Sequence, residues 1–368
     1  MSGAPPRRRR DGRIDIMRGA ALLMIFVDHI GDNLVGNITL RNWGFSDAAE
    51  VFVILAGLSS MIAYGRIFEE QGLRSGVVRV ALRCLHLYAA EVLLLLATFV
   101  IVAVWAHYFG TEFLGIEPSR PAGLHGIRRA VRLAQLPTFL DILPLYIVLL
   151  GCFPLMQALW RLSPAALLLP SLALWRAAQV YPWLNVHTVP SGGGWFFNPF
   201  AWQFLFAVGM ALAVQHRQRG FSLPRWWSLR AVAGAFLLYA LLASAPWREW
   251  GWSDWQPFVV AAPDKSTLDP RRILDVVAMI FLALSSERFR AVQDHWLLRP
   301  FALCGRHSLE VFSAGTLLSL FGRLAFTTFG PGLVAQVFVN GFGFAVMIVL
   351  AAWLDRRARE KLSQRMAV

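Results

Sequence analysis

Ten stretches of this chain are apolar enough to be read as membrane crossings, and a soluble fold of 368 residues does not accommodate that many. They lie near residues 14–31, 47–65, 82–105, 137–160, 164–181, 197–215, 229–245, 271–286, 307–324 and 332–354. An even number of crossings returns the C-terminus to the side of the N-terminus. Basic residues then identify that side. The termini and every second loop together hold 23 Lys and Arg, the opposite loops 10. Cytoplasmic segments carry such an excess, so both termini are expected in the cytoplasm. The fold expected is an all-α polytopic membrane protein, about ten transmembrane helices in a bundle around a central cavity. Residues 1–13 form a basic cytoplasmic tail, 14–354 a single transmembrane domain and 355–368 a second basic cytoplasmic tail.

Composition agrees and removes competing classes. The chain is 57% hydrophobic and 15% charged with mean hydropathy +0.53, outside the range of soluble domains. A net charge of +13 raises nucleic-acid binding as a possibility. The basic residues nevertheless fall in short clusters between apolar runs, as topology signals do, and no nucleic-acid partner is expected. Cys84, Cys152 and Cys304 show no CxxC spacing and are expected to pack in the interior, with neither a metal site nor a disulfide framework. The start MSGAPPRRRR precedes an apolar run without a small-residue cleavage site, and charges interrupt that run, so it reads as a retained first helix. No internal repeat is visible, and no GxSxG, HExxH, Walker or dinucleotide motif has suitable context. Hydride transfer, ATP hydrolysis and zinc chemistry are without support.

The first apolar segment contains Asp15, Arg18, Asp28 and His29. A charge at the bilayer centre costs roughly 2.5–3.5 kcal/mol on insertion scales, so such residues are candidates for function. Eleven steps at about 100° bring Arg18 and His29 within about 20° of one helix face. At about 1.5 Å per residue they stand roughly 16 Å apart, about half a bilayer. His29 can act as a general base, or it can be a helix-end imidazole satisfied by a neighbouring helix. Asp28 and Asp32 are the nearby acids that can orient it. Arg18 can hold phosphate or snorkel to lipid headgroups. Asp15, three residues earlier, can pair with it.

Other polar residues stand in or beside apolar segments. In SDAAEVFV, Ser46 and Asp47 suit a helix N-cap, while Glu50 enters the apolar run. Gly57, Ser59 and Ser60 permit close helix packing. Glu91, Asp141, Asp275 and Glu310 are further acids, for which a structural pair with Arg is at least as good a reading as catalysis. The outside loops carry His107, Glu112, Glu117 and His125, then His187 with the turn Ser191-Gly192-Gly193-Gly194. The third carries Trp247, Glu249, Trp250, Trp252, Asp254 and Trp255. Clustered aromatics beside acids can stack on sugars, but an interfacial belt is the better reading.

RIDIMRGAALLMIFVDHIGDN followed by LRNWGFSDAAEVFV resembles the opening of the OpgC-type family of bacterial membrane proteins. PTFLDILPLYIVLL, GWFFNPFAWQFLFAVG and CGRHSLEVF follow in the order the family shows, and the resemblance runs from about Arg10 to about Arg356. It departs at Asp275, where a histidine is expected. The family sits among the integral-membrane acyltransferases, whose first helix carries a basic residue, ten intervening residues and a histidine, a spacing Arg18 and His29 fit. The resemblance implies a bacterial inner-membrane enzyme that succinylates osmoregulated periplasmic glucan from a cytoplasmic acyl-CoA. Succinyl-CoA is then a co-substrate, with no tightly bound cofactor. Its partners would be the glucan acceptor, membrane lipid and glucan-synthesis proteins.

On that reading His29 is general base or acyl carrier, with Asp28, Asp32 or Glu50 orienting it. Arg18 holds donor phosphate, helped by basic residues of the 66–83 loop, by Arg306 and by His307. Asn198, Tyr146, Asp141, Trp195 and Ser308 are candidates for substrate or oxyanion contacts. Two other readings use the same residues: O-acetyl transfer to another envelope glycan, and transport of an acyl donor or anion through a proton relay.

Overall fold

The computed structural model describes residues 11–110, 128–129, 131–133, 139–188, 193–219, 227–252, 255 and 257–366. The tail up to residue 10, Glu112, Glu117, His125, Ser191, Gly192 and Asp254 lie outside the described residues. The chain is all-helical; among the described residues the sole β pairing is an isolated bridge between His187 and Gly194.

Helix underlies every one of the ten apolar segments. In order these are α1 (Gly12–Asp28), α2 (Ala48–Glu70), α3 (Gly72–Phe109), α4 (Ile142–Leu162), α5 (Pro164–Val180), α6 (Pro199–Arg219), α7 (Trp227–Ser244) and α8 (Pro270–Ser285). Two short helices, α9 (Glu287–Val292) and α10 (Arg299–Arg306), precede α11 (Ser308–Phe329) and α12 (Leu333–Met366). Among the described residues six helices are long and apolar enough to cross a membrane: α2, α3, α4, α7, α11 and α12. Helix α12 does not stop at residue 354; it continues through DRRAREKLSQRM, so the expected tail is helical to Met366. A hydropathy boundary marks where the apolar environment ends, and hydrogen bonding carries the helix further.

Local chemistry sets the helix ends. Asp47 caps α2: its carboxylate accepts from Ala49 N–H at 2.8 Å, and Glu50 returns to the Asp47 N–H at 2.9 Å, a capping box. The cap is therefore Asp47 and not Ser46, which is bound elsewhere. Gly72, at φ 85°, turns the chain directly from α2 into α3. Ser163 caps α5 by accepting from Ala166 N–H at 2.9 Å, with Pro164 in the first turn.

Two helix pairs meet backbone to backbone through glycine. A methyl group at Gly57 of α2 would overlap the Phe206 carbonyl of α6, and one at Gly209 would overlap the Ile54 carbonyl. The close packing expected at Gly57 is thus present. Helix α1 meets α10 in the same way, Gly19 against Phe301 and Gly305 against Asp15. Helix α2 is the most enclosed of the six long apolar helices and α7 the least. Cys304 is buried and Cys84 partly so, whereas Cys152 is exposed on α4, contrary to the expected interior position. That face of α4 is apolar, which suits lipid as well as a core.

Candidate active site

The site is strung along α1. Its first half lines a cavity of about 710 Å³ shared by α1, α2, α3, α4 and the α10–α11 corner. Four guanidinium groups reach this space, from Arg18, Arg66, Arg83 and Arg306. Arg18 donates to the Leu55 carbonyl at 3.1 Å and to the Ser59 hydroxyl, so α2 fixes its direction. Ser59 is thus a ligand of Arg18 and not merely a small packing residue. Arg306 lies 3.6 Å from Asp15 and 3.5 Å from Asp355, which holds the α10–α11 corner between α1 and α12. Tyr146 and Ser308 line the same cavity, while His307 points to Asp355 at 3.9 Å. Of the twelve candidate residues, the structure brings Arg18, Arg306, Ser308 and Tyr146 into one cavity.

At its deep end the cavity meets Phe52, Tyr146 and Phe312. Phe52 packs edge-on against Tyr146 and stacks with Phe312, each at 6.2 Å between ring centres. These rings form a collar two residues along α2 from Glu50, about 3 Å of rise. His29 is not among the cavity-lining residues.

Beyond the collar lies a polar cluster built from helix ends. His29 is the C-cap of α1, and its ring lies 4.5 Å from that of Phe139. Its Nδ1 is buried without a hydrogen-bond partner. None of Asp28, Asp32 or Glu50 is hydrogen-bonded to it. Asp28 accepts from the Thr39 hydroxyl at 2.5 Å and faces Arg41 at 3.4 Å, which ties α1 to the two 3-10 turns that follow. Asp32 is exposed at φ 56°, and its carbonyl accepts from Gln336. Glu50 is fully buried and takes Arg272 Nε at 2.7 Å. Asp47 takes Lys265 at 2.5 Å and Arg272 at 3.1 Å, which completes a cluster of two acids and two bases. The carboxylates of Asp28 and Glu50 are thus engaged by donors on other elements, and Asp32 joins the fold through its backbone carbonyl rather than through a bond to the imidazole.

Lys265 sits at the centre of this end and acts electrostatically on His29, Asp28 and Asp141. Burial works against its charge, but Asp47 and Glu50 outweigh burial and hold its ammonium above the ordinary lysine range. The strand of chain that carries it is pinned by Trp202, whose indole N–H donates to the Lys265 and Ser266 carbonyls at 3.1 Å. Just beyond, hydrogen bonds from Arg271 hold the Asp269 carboxyl below the ordinary carboxylate range.

Asn198 caps α6: it accepts from Phe200 N–H, and its amide N–H donates to Leu184 O at 2.7 Å. One N–H of that amide is therefore committed to the backbone. Trp195 is buried, with its indole N–H unpartnered. Asp141 precedes α4, and its backbone carbonyl opens the helix. Asp275 accepts the Ser46 N–H and hydroxyl, so the residue standing where a histidine was expected clamps the Gly44-Phe45-Ser46 turn before α2.

Lys265, Arg272 and Arg323 were not foreseen as site residues. Lys265 carried a signal, being one of two lysines in a chain rich in arginine. Arg323 carried another, an arginine inside the apolar run LLSLFGRLAF.

Fold and site together define an all-helical membrane protein whose first helix links a cationic cavity to a histidine. A family model described as OpgC protein matches residues 10–359, nearly the whole chain, and the chain belongs to the OpgC family. Membership implies a membrane acyltransferase. No curated protein and no solved structure matches it.

Proposed function

We propose that the protein transfers a succinyl group from a cytoplasmic acyl-CoA to hydroxyls of a periplasmic glucan across the bacterial inner membrane. Ten helices would cross the bilayer with both termini in the cytoplasm, which places the arginine cavity inside and His29 toward the periplasm. The observation that carries this reading is the cavity itself: four guanidiniums at one end of α1, with His29 eleven residues further along the same helix. Guanidiniums suit the phosphates of a nucleotide thioester. A slender pantetheine arm suits a passage bounded by the Phe52, Tyr146 and Phe312 rings.

In the proposed step the imidazole of His29 accepts the proton of a glucan hydroxyl, and that oxygen attacks the thioester carbonyl. The carbon–sulfur bond then breaks, and the thiolate recovers the proton from the imidazolium. The Asp47–Glu50–Arg272–Lys265 cluster positions α2 and α8 at this level, and Asp28 positions the turns after α1. Tyr146, itself part of the collar, carries a cavity hydroxyl that is the best candidate donor to the developing oxyanion.

The test is transfer of label from radioactive succinyl-CoA to unsubstituted glucan by the purified protein in lipid nanodiscs, beside His29→Ala. Transfer by the wild type and its loss in the variant support the mechanism. Wild type that binds both substrates and transfers nothing overturns the enzymatic reading in favour of transport. Undiminished transfer by His29→Ala removes the histidine and keeps the class.

A further inference from the structure

Among the described residues, Arg323 is a cation with no carboxylate partner, and it lies beside the histidine of the proposed mechanism. It lies on α11, where Ser319, one turn earlier, donates its hydroxyl to the Phe26 carbonyl at 3.0 Å. That bond sets α11 alongside the last turn of α1, and Phe26 is three residues before His29. The Arg323 guanidinium stacks over Phe139 at 4.5 Å from the ring centre, the distance at which the His29 ring meets the same ring. The two side chains therefore lie within twice that distance of each other, and Arg323 is one of the charges that acts on His29. Its Nε is buried and has no hydrogen-bond partner, and among the described residues no carboxylate pairs with it. The neighbouring cations Lys265 and Arg272 are both paired to acids. A buried cationic donor left unmade costs free energy, and an arriving anion would recover it.

Resting on the acyl-transfer reading above, we infer that Arg323 is the specificity residue that binds a free carboxylate at the far end of the transferred acyl group. The dimensions agree. A four-carbon diacid thioester has three carbon–carbon bonds of about 1.5 Å between its two carbonyl carbons, so they stand roughly 4 Å apart. A carboxylate on Arg323 would thus leave the thioester carbonyl on the His29 side of Phe139. The carboxylate takes no part in bond making; it fixes the donor while the carbon–sulfur bond is exchanged for a carbon–oxygen bond. An acetyl group has nothing to offer this guanidinium and leaves it unsatisfied, the arrangement that discriminates most strongly between substrates.

The experiment compares succinyl-CoA with acetyl-CoA as donors to neutral unsubstituted glucan, using the full-length protein, Arg323→Gln and Arg323→Lys. The wild type is expected to favour succinyl-CoA. The succinyl-to-acetyl ratio of kcat/KM should fall on the order of 10- to 100-fold in R323Q, the range of a hydrogen-bonded charge, and less in R323K. A ratio unchanged in R323Q overturns the inference, whether the arginine serves the fold, lipid phosphate or the glucan. A second measurement needs no variant: succinamoyl-CoA, the neutral amide of the same length, should be a poor donor for the wild type. Equal use of the amide and the acid overturns the carboxylate site and leaves the acyltransferase standing. Wild type that transfers no acyl group from any donor overturns both.

Discussion

The two ends of α1 solve different problems. The arginine end is roomy: Arg18 is tethered to α2, and three further guanidiniums face the same cavity. The histidine end is filled: Phe139 covers the imidazole, and the surrounding carboxylates are taken by Lys265, Arg272, Thr39 and Arg41. Open space with surplus positive charge suits capture of a large anion. A crowded corner, its acids paired and Arg323 set against Phe139, suits one reaction in one geometry. Because a single helix carries both, their spacing is set by helical rise and not by a loop.

The comparison can be broken most directly at the histidine. His29→Ala should lower kcat by about 10²- to 10⁴-fold, the share usual for general acid–base catalysis, without weakening donor binding. If isothermal titration showed donor affinity falling as far as the rate, the two ends would not be separate. Next is the ion cluster. Glu50→Ala removes one of the two carboxylates that hold the buried Arg272 and should cost up to about 3–5 kcal/mol of stability, read by thermal unfolding in detergent. A variant as stable as the parent would mean that the cluster does not build this end. At the other end, Arg18→Ala should weaken donor binding by roughly 10- to 100-fold with the fold kept. An unaltered dissociation constant would detach the cavity from the donor. The smallest effect is expected of Asp28→Asn, because that carboxylate serves Thr39 and Arg41: a change in rate of less than about threefold. A loss as deep as that of His29→Ala would restore it as the acid that orients the imidazole.

Much of this was legible in the sequence, and what was not has a physical reason. All ten apolar segments are helices, the form in which a long apolar run satisfies its own backbone hydrogen bonds. Helix α3 begins ten residues before its apolar stretch, at Gly72, because Arg74 and Arg79 extend it on an exposed face that hydropathy does not register. The exposed α9 was missed for the same reason, and α10 because eight residues are too few to register as a crossing. Arg18 and His29 stood out by phase on one helix. Phase alone does not show which neighbouring element supplies a counter-ion, so Asp28 and Glu50 were set beside His29 when their partners were Thr39, Arg41 and Arg272. The OpgC resemblance filled in chemistry, whereas the donors around it came only with tertiary contacts.

The length of α1 between its two polar ends has an electrical consequence. On the proposed route a carboxylate carried by the acyl group moves outward, from the cavity to the far side of the collar. The hydroxyl proton travels the opposite way on the departing thiol. Both displacements run with an inside-negative membrane potential, which contributes up to about 2.3 kcal/mol per elementary charge for each 100 mV. An energised membrane would then act as a second driving force on the reaction, beside the thioester itself, and glucan modification would slow in cells whose potential has collapsed.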